Sequence, residues 1–171
     1  MIAWGRPMAR WTLLPAALAL LAGCAVTPSV SGFVGECTKV DESAVKYINW
    51  ARVPEVNIRI RNSEFSPMVL RLRQGWPYVL KIRNRDHEDR LIRAPEFFRR
   101  IAVIKASVAG EDADFTCFSS VTVPARQSVE LKLVAVTDGY YEYEDSLLPL
   151  PGLFSSSPNG VIIIEERRSR I

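Results

Sequence analysis

The sequence is poor in the side chains that hold transition metals or shuttle protons near neutral pH. Of its 171 residues, one is a histidine, His87. Histidine is the side chain whose ordinary titration falls between about pH 5 and 8. A site that needs two imidazoles therefore cannot be assembled from one copy of this chain. Cysteines number three and methionines three, and Met1 and Met8 lie at the extreme N-terminus, leaving Met68. Enzyme motifs are also missing. There is no G-x-S-x-G elbow, no G-x-x-x-x-G-K-[ST] loop and no H-E-x-x-H helix, so no residue is nominated as catalytic. No apolar run reaches the roughly 20 residues of a membrane-spanning helix. Charge is nearly balanced, with 22 basic against 19 acidic residues. That excludes the strongly basic footprint of a nucleic-acid-binding domain, and no nucleic-acid partner is expected.

What is present starts with a leader. Arg6 and Arg10 precede the apolar stretch WTLLPAALALLAG, which is too short to span a membrane and has the length of a signal-peptide h-region. Leu21-Ala22-Gly23-Cys24 resembles the lipobox of bacterial lipoproteins. The resemblance implies that Cys24 becomes a lipid-carrying (palmitate-bearing) N-terminus. With Ala25 next to it, the expected location is the periplasmic face of the outer membrane, with lipid as the anchor. Acyl chains contribute about 0.8 kcal/mol per buried methylene, so several together make a stable anchor. Removing Arg6 and Arg10 from the 22 basic residues leaves 20 against 19 acidic, so the remainder is close to neutral. If Cys24 carries lipid, Cys37 and Cys117 remain. In an oxidising compartment they are expected as a disulfide, with two separate buried thiols as the alternative.

After Cys24 comes TPSVSG, a small polar tether, and then DESAVKYINWARVP, a candidate short helix stopped by Pro54. From there the period becomes two. EVNIRIR sets Val56, Ile58 and Ile60 against Asn57, Arg59 and Arg61. PMVLRLR, YVLKIRN, SVELKLVAV and GYYEYED alternate in the same way, and GVIIIEE reads as a buried last strand. Helix is expected once more, in PEFFRRIAV, where Pro95 suits a first helical position and Phe97, Phe98 and Ile101 share a face. Short alternating strands separated by turn signals argue for an antiparallel β-sandwich. The expected division is a signal peptide over 1–23, a tether and N-terminal segment over 24–53, a domain over 54–166 and a basic tail over 167–171.

The order of pieces is similar to that of the cupredoxin-like domain, the Greek-key β-sandwich of blue copper proteins. The likeness lies in FSPMVLRLRQG (Phe65 to Gly75), PYVLKIRNRD (Pro77 to Asp86), RAPEFF (Arg93 to Phe98), GYYEYED (Gly139 to Asp145) and the final Gly160 strand. The resemblance implies an all-β, cupredoxin-like Greek-key sandwich with one or two short helical insertions. It also locates the copper ligands of the family. The first histidine stands five residues before the proline of an H-x-F-x-A-P pattern, which here is Arg90. The cysteine follows a G-x-Y-x-[YF]-x pattern, which here is Asp145. The second histidine belongs within Leu147 to Leu150 and the methionine within Phe154 to Asn159, and neither residue type occurs there. A blue copper centre takes two imidazoles, a thiolate and a weak axial ligand. The expectation is therefore of no cofactor and no metal, with Arg90 and Asp145 joined as a guanidinium–carboxylate pair. His87, in the charged run NRDHEDR, is expected to be a solvated turn histidine near carboxylates.

The loop SLLPLPGLFSSSP carries Leu147, Leu148, Leu150, Leu153 and Phe154. The family uses an apolar patch at this end to dock partners. These residues are thus a candidate docking patch for an envelope protein, or they fold down to fill the end of the sandwich. The expected function is a non-catalytic binding or envelope-assembly module. The alternative is a periplasmic copper-binding or electron-transfer protein with atypical ligands.

Overall fold

Alternation in the sequence becomes alternation of burial in the computed structural model, which describes residues 30–32, 37–40, 42–114, 117–145 and 159–167. Strand β1 (Val30–Gly32) comes first, followed by helix α1 (Glu42–Val45) and a 3-10 turn over Trp50–Arg52. Then come β2 (Glu55–Arg61), β3 (Glu64–Ser66), β4 (Val69–Arg73), β5 (Pro77–Asn84) and β6 (Arg90–Arg93). Helix α2 (Pro95–Arg100) leads into β7 (Ile101–Val108), β8 (Glu111–Ala113) and β9 (Phe118–Val123). The chain continues through β10 (Ser128–Ala135), β11 (Gly139–Asp145) and β12 (Asn159–Glu165).

Two six-stranded sheets face each other. One has the order β1-β9-β6-β11-β12-β4 and the other β3-β2-β5-β10-β7-β8. The all-β sandwich with short helical insertions is thus the fold observed. One correction concerns direction. The sheets are mixed, because β2 pairs with β5 in parallel and β4 pairs with β12 in parallel. Period-two alternation reports which face is buried and says nothing about the direction of the neighbouring strand.

The core lies between the sheets. Ile58 and Ile60 of β2, Leu80 and Ile82 of β5, and Leu131 and Leu133 of β10 are all at most 1% exposed. From the other sheet Leu72, Tyr143 and Ile162 meet them. Each such aliphatic side chain contributes about 1.5–3 kcal/mol by leaving water. Met68, grouped by alternation with Leu70 and Leu72, lies before β4 and is exposed.

Three further corrections concern element boundaries. The helix expected over PEFFRRIAV ends at Arg100, and Ile101 opens β7 without a linker. β-branched residues such as Ile101, Val103 and Ile104 favour strand, and here they win. The tether reading of TPSVSG is incomplete, because its last residues form β1 on the edge beside β9. Cys37 and Cys117 are disulfide-bonded with Cα atoms 5.8 Å apart, which ties the N-terminal segment to the start of β9. The helix expected over DESAVKYINWARVP is reduced to α1 and the 3-10 turn. Among the described residues no helix is long and apolar enough to cross a membrane.

Candidate functional site

Three turns meet at one end of the sandwich: β2–β3, β5–β6 and β9–β10. The N-R-D triplet Asn84-Arg85-Asp86 organises them. Asn84 is fully buried. Its side-chain amide donates to the carbonyls of Glu88, Val123 and Pro124 at 2.7, 3.0 and 3.2 Å. Its side-chain oxygen accepts the N–H of Asp86 at 2.9 Å, closing an Asx turn. Asp86 then clamps the neighbouring turns. Its carboxylate accepts the N–H groups of Asn62 at 2.7 Å and Ser63 at 3.0 Å. Its backbone carbonyl accepts the N–H of Arg126 at 3.2 Å. Asn62, Ser63 and Arg126 sit at φ 52°, 60° and 62°, left-handed backbone that these bonds hold in place.

Arg90 lies beneath. It opens β6, is 5% exposed, and reaches Asp145 at the end of β11, which is 2% exposed. Arg90 Nη1 donates to Asp145 Oδ2 at 3.0 Å. Arg90 Nη2 donates to Asp86 Oδ2 at 2.8 Å and to Ser63 Oγ at 2.7 Å. The pair expected from the sequence is therefore formed and buried. One bond joins Arg90 to Asp145, and Arg90 Nε and Asp145 Oδ1 are buried without a protein partner. The other end of the guanidinium is committed to Asp86 and Ser63, which the sequence reading left out. An N-x-D triplet after a buried strand was the available signal for Asn84 and Asp86. Nothing local marks Ser63, which arrives through the β2–β3 turn.

The two carboxylates shift in opposite directions. Burial pushes the Asp145 carboxyl up, and the pull of Arg90 opposes this without overcoming it. For Asp86 burial is also the largest single influence and acts upward. The backbone N–H groups of Ser63 and Asn62, together with Arg90, outweigh it and hold the carboxyl below its usual value. One guanidinium thus faces two carboxylates, of which the deeper is the harder to ionise.

His87 sits exposed on the bend after Asp86. It is flanked by Asp86 and Glu88, and its imidazole Nε2 is beside Arg126 Nη2, a donor that the sequence does not announce. Among the described residues no three His, Cys, Asp or Glu side chains are grouped to hold a metal ion. The donor set also fails on chemistry. Arg90 has no free lone pair at any pH a protein tolerates. Cys37 and Cys117 are spent in the disulfide, and His87 is the chain's one imidazole. The residues at this end do not fit a blue copper centre. Cys24 and the candidate docking patch Leu147, Leu148, Leu150, Leu153 and Phe154 lie outside the described residues.

No protein-family profile and no curated protein sequence matches the chain. Solved structures do. The chain is similar to amicyanin from Paracoccus versutus (14% identity, TM-score 0.41, 67% of this chain and 87% of that one). It is similar to a reduced-state amicyanin mutant (13% identity, TM-score 0.41, 81% of this chain and 95% of that one). It is also similar to a multicopper oxidase from Campylobacter jejuni (10% identity, TM-score 0.46, 81% of this chain and 32% of that one).

Proposed function

We propose that this chain is an exported, lipid-anchored β-sandwich of cupredoxin-like ancestry that holds no copper and works as a binding or envelope-assembly module. The observation that carries this is the buried Arg90–Asp145 contact at 3.0 Å. It joins the two residues that stand where family members place an imidazole and a thiolate. A cation fixed between the β5–β6 turn and the end of β11 performs the mechanical part of a metal's work, tying the two segments together, and none of its redox chemistry. The leader supports export. Cys24 in its lipobox-like context supports anchoring at the periplasmic face of the outer membrane. The apolar loop with Leu147, Leu148, Leu150, Leu153 and Phe154 supports docking of an envelope protein.

Fractionation of cells making the intact chain or a Cys24→Ala variant, combined with in-cell crosslinking, tests the proposal. The intact chain should sediment with outer membranes and crosslink to a discrete partner. Cys24→Ala should be released into the soluble periplasm. Replacing Leu147, Leu150 and Phe154 by serine should remove the crosslinked partner without loss of folding. Membrane association that survives Cys24→Ala, or crosslinks unchanged by the serine variant, overturns the corresponding half.

A further inference from the structure

The outer face of the second sheet carries arginines that no carboxylate among the described residues pairs with. β2 and β5 run in parallel register with Arg59 directly opposite Arg83. Like charges opposite one another across strands destabilise a sheet. Two residues further on, Arg61 at the end of β2 and Arg85 just past β5 reach the loop end. There, with Arg126, they line a cleft of about 560 Å³. Among the described residues Arg59, Arg61, Arg83 and Arg85 make no ion pair. Three other cations of the domain do: Arg71 has Glu165, Lys81 has Glu130 and Lys105 has Asp112. The cleft's own carboxylates do not balance the charge. Asp86 is taken by Arg90 and two backbone N–H groups, which leaves Glu88.

The backbone segments that carry the arginines are also held in position. Asp86 bonds to the β2–β3 turn through its carboxylate and to the β9–β10 turn through its carbonyl, so the segments bearing Arg61, Arg85 and Arg126 are fixed to one another. A site whose geometry exists before the ligand arrives loses less entropy on binding. All the residues that line it are polar: Arg61, Asn62, Ser63, Arg85, His87 and Arg126 around Asp86, Glu88 and Arg90. Such walls offer nothing to an acyl chain or an aromatic ring. What they offer is a set of forked N–H donors, which match a tetrahedral oxyanion.

We propose that this cleft binds a phosphate group, with Arg61, Arg85 and Arg126 as its donors and Arg59 and Arg83 as a second position for a further phosphate. The inference stands on the arginine geometry and does not depend on whether Arg90 and Asp145 replaced metal ligands. A soluble phosphate compound and a lipid headgroup present the same chemistry, and titration distinguishes them. The intact chain is titrated calorimetrically with inorganic pyrophosphate and, separately, with dihexanoyl phosphatidic acid kept below its micelle concentration. Saturable binding is expected, one pyrophosphate per chain. It should weaken about tenfold or more in each of Arg61→Ala, Arg85→Ala and Arg126→Ala, in line with loss of a charged hydrogen bond. It should be unchanged in Arg71→Ala, on the opposite sheet. Tighter binding of the short-chain lipid marks a headgroup as the source, and tighter binding of pyrophosphate marks a soluble one. Absence of saturable binding to both at millimolar concentration overturns the site. Equal weakening by Arg71→Ala overturns it too, since binding would then follow net charge alone.

Discussion

At the scale of single residues, Asp86 and Asp145 give opposite pH signatures. Asp86 is held below its ordinary value, so its contribution to stability is complete above the unfolded carboxyl range near 3.8 and is lost as pH falls through the folded value. Asp145 is pushed up, so its contribution is complete below the unfolded value and is lost as pH rises through the folded one. Denaturant unfolding between pH 7 and pH 3 should show this. Relative to Asp145→Asn, the parent gains stability as pH falls. Relative to Asp86→Asn, it loses stability. Arg90→Met should cost about 3–5 kcal/mol, because it leaves Asp145 buried without its cation. Adding Asp145→Leu should recover a large part of that loss, and two independent, additive costs would show that the contact carries no coupling. Tyr143 makes a third case. Burial pushes its hydroxyl up to about 12, and the hydroxyl donates to the Pro67 carbonyl at 2.9 Å. Its neutral form favours the fold, and that contribution is lost as pH rises from about 10 through 12. Ultraviolet difference spectra should therefore show tyrosine ionisation extending well above the ordinary value near 10, and Tyr143→Phe should remove part of that late titration.

At the scale of elements, the sequence made β2, β5, β10 and β11 visible because apolar and polar residues alternate along each, and β12 because its apolar run reads as a buried strand. It hid β6, which is four residues long with arginine at both ends and holds its place through its neighbours β9 and β11. The two ends of the predicted ion pair were legible because a family pattern could be counted onto Arg90 and Asp145. Asp86 and Ser63 were not, because their roles come from turns that meet only in three dimensions. The last strand offers a packing test. A Cβ at Gly160 would lie 2.1 Å from the ring of Tyr143, which is 1% exposed and stacks edge-on to Phe65 at 4.6 Å. Gly160→Ala should therefore destabilise by about 3 kcal/mol or more by thermal or denaturant unfolding, at the upper end of overpacking costs. A loss below about 0.5 kcal/mol would mean the ring moves freely.

At the scale of the whole molecule, the disulfide joins positions 80 residues apart and closes the N-terminal segment onto the sandwich. In the chain-entropy model a loop of this size contributes about 4 kcal/mol, so Cys37→Ser with Cys117→Ser, or strong reductant, should lower stability by about that much. The turns at the loop end are joined by Asn84, Asp86 and Arg90, and the sheets by the aliphatic core, which fits the proposal that this chain holds no copper. Metal content therefore tests this most directly. The intact chain, isolated from copper-supplemented cells and dialysed, should hold well under a tenth of an equivalent of copper and show no visible thiolate-to-copper absorption. One tightly held copper per monomer with an intense visible band would contradict it.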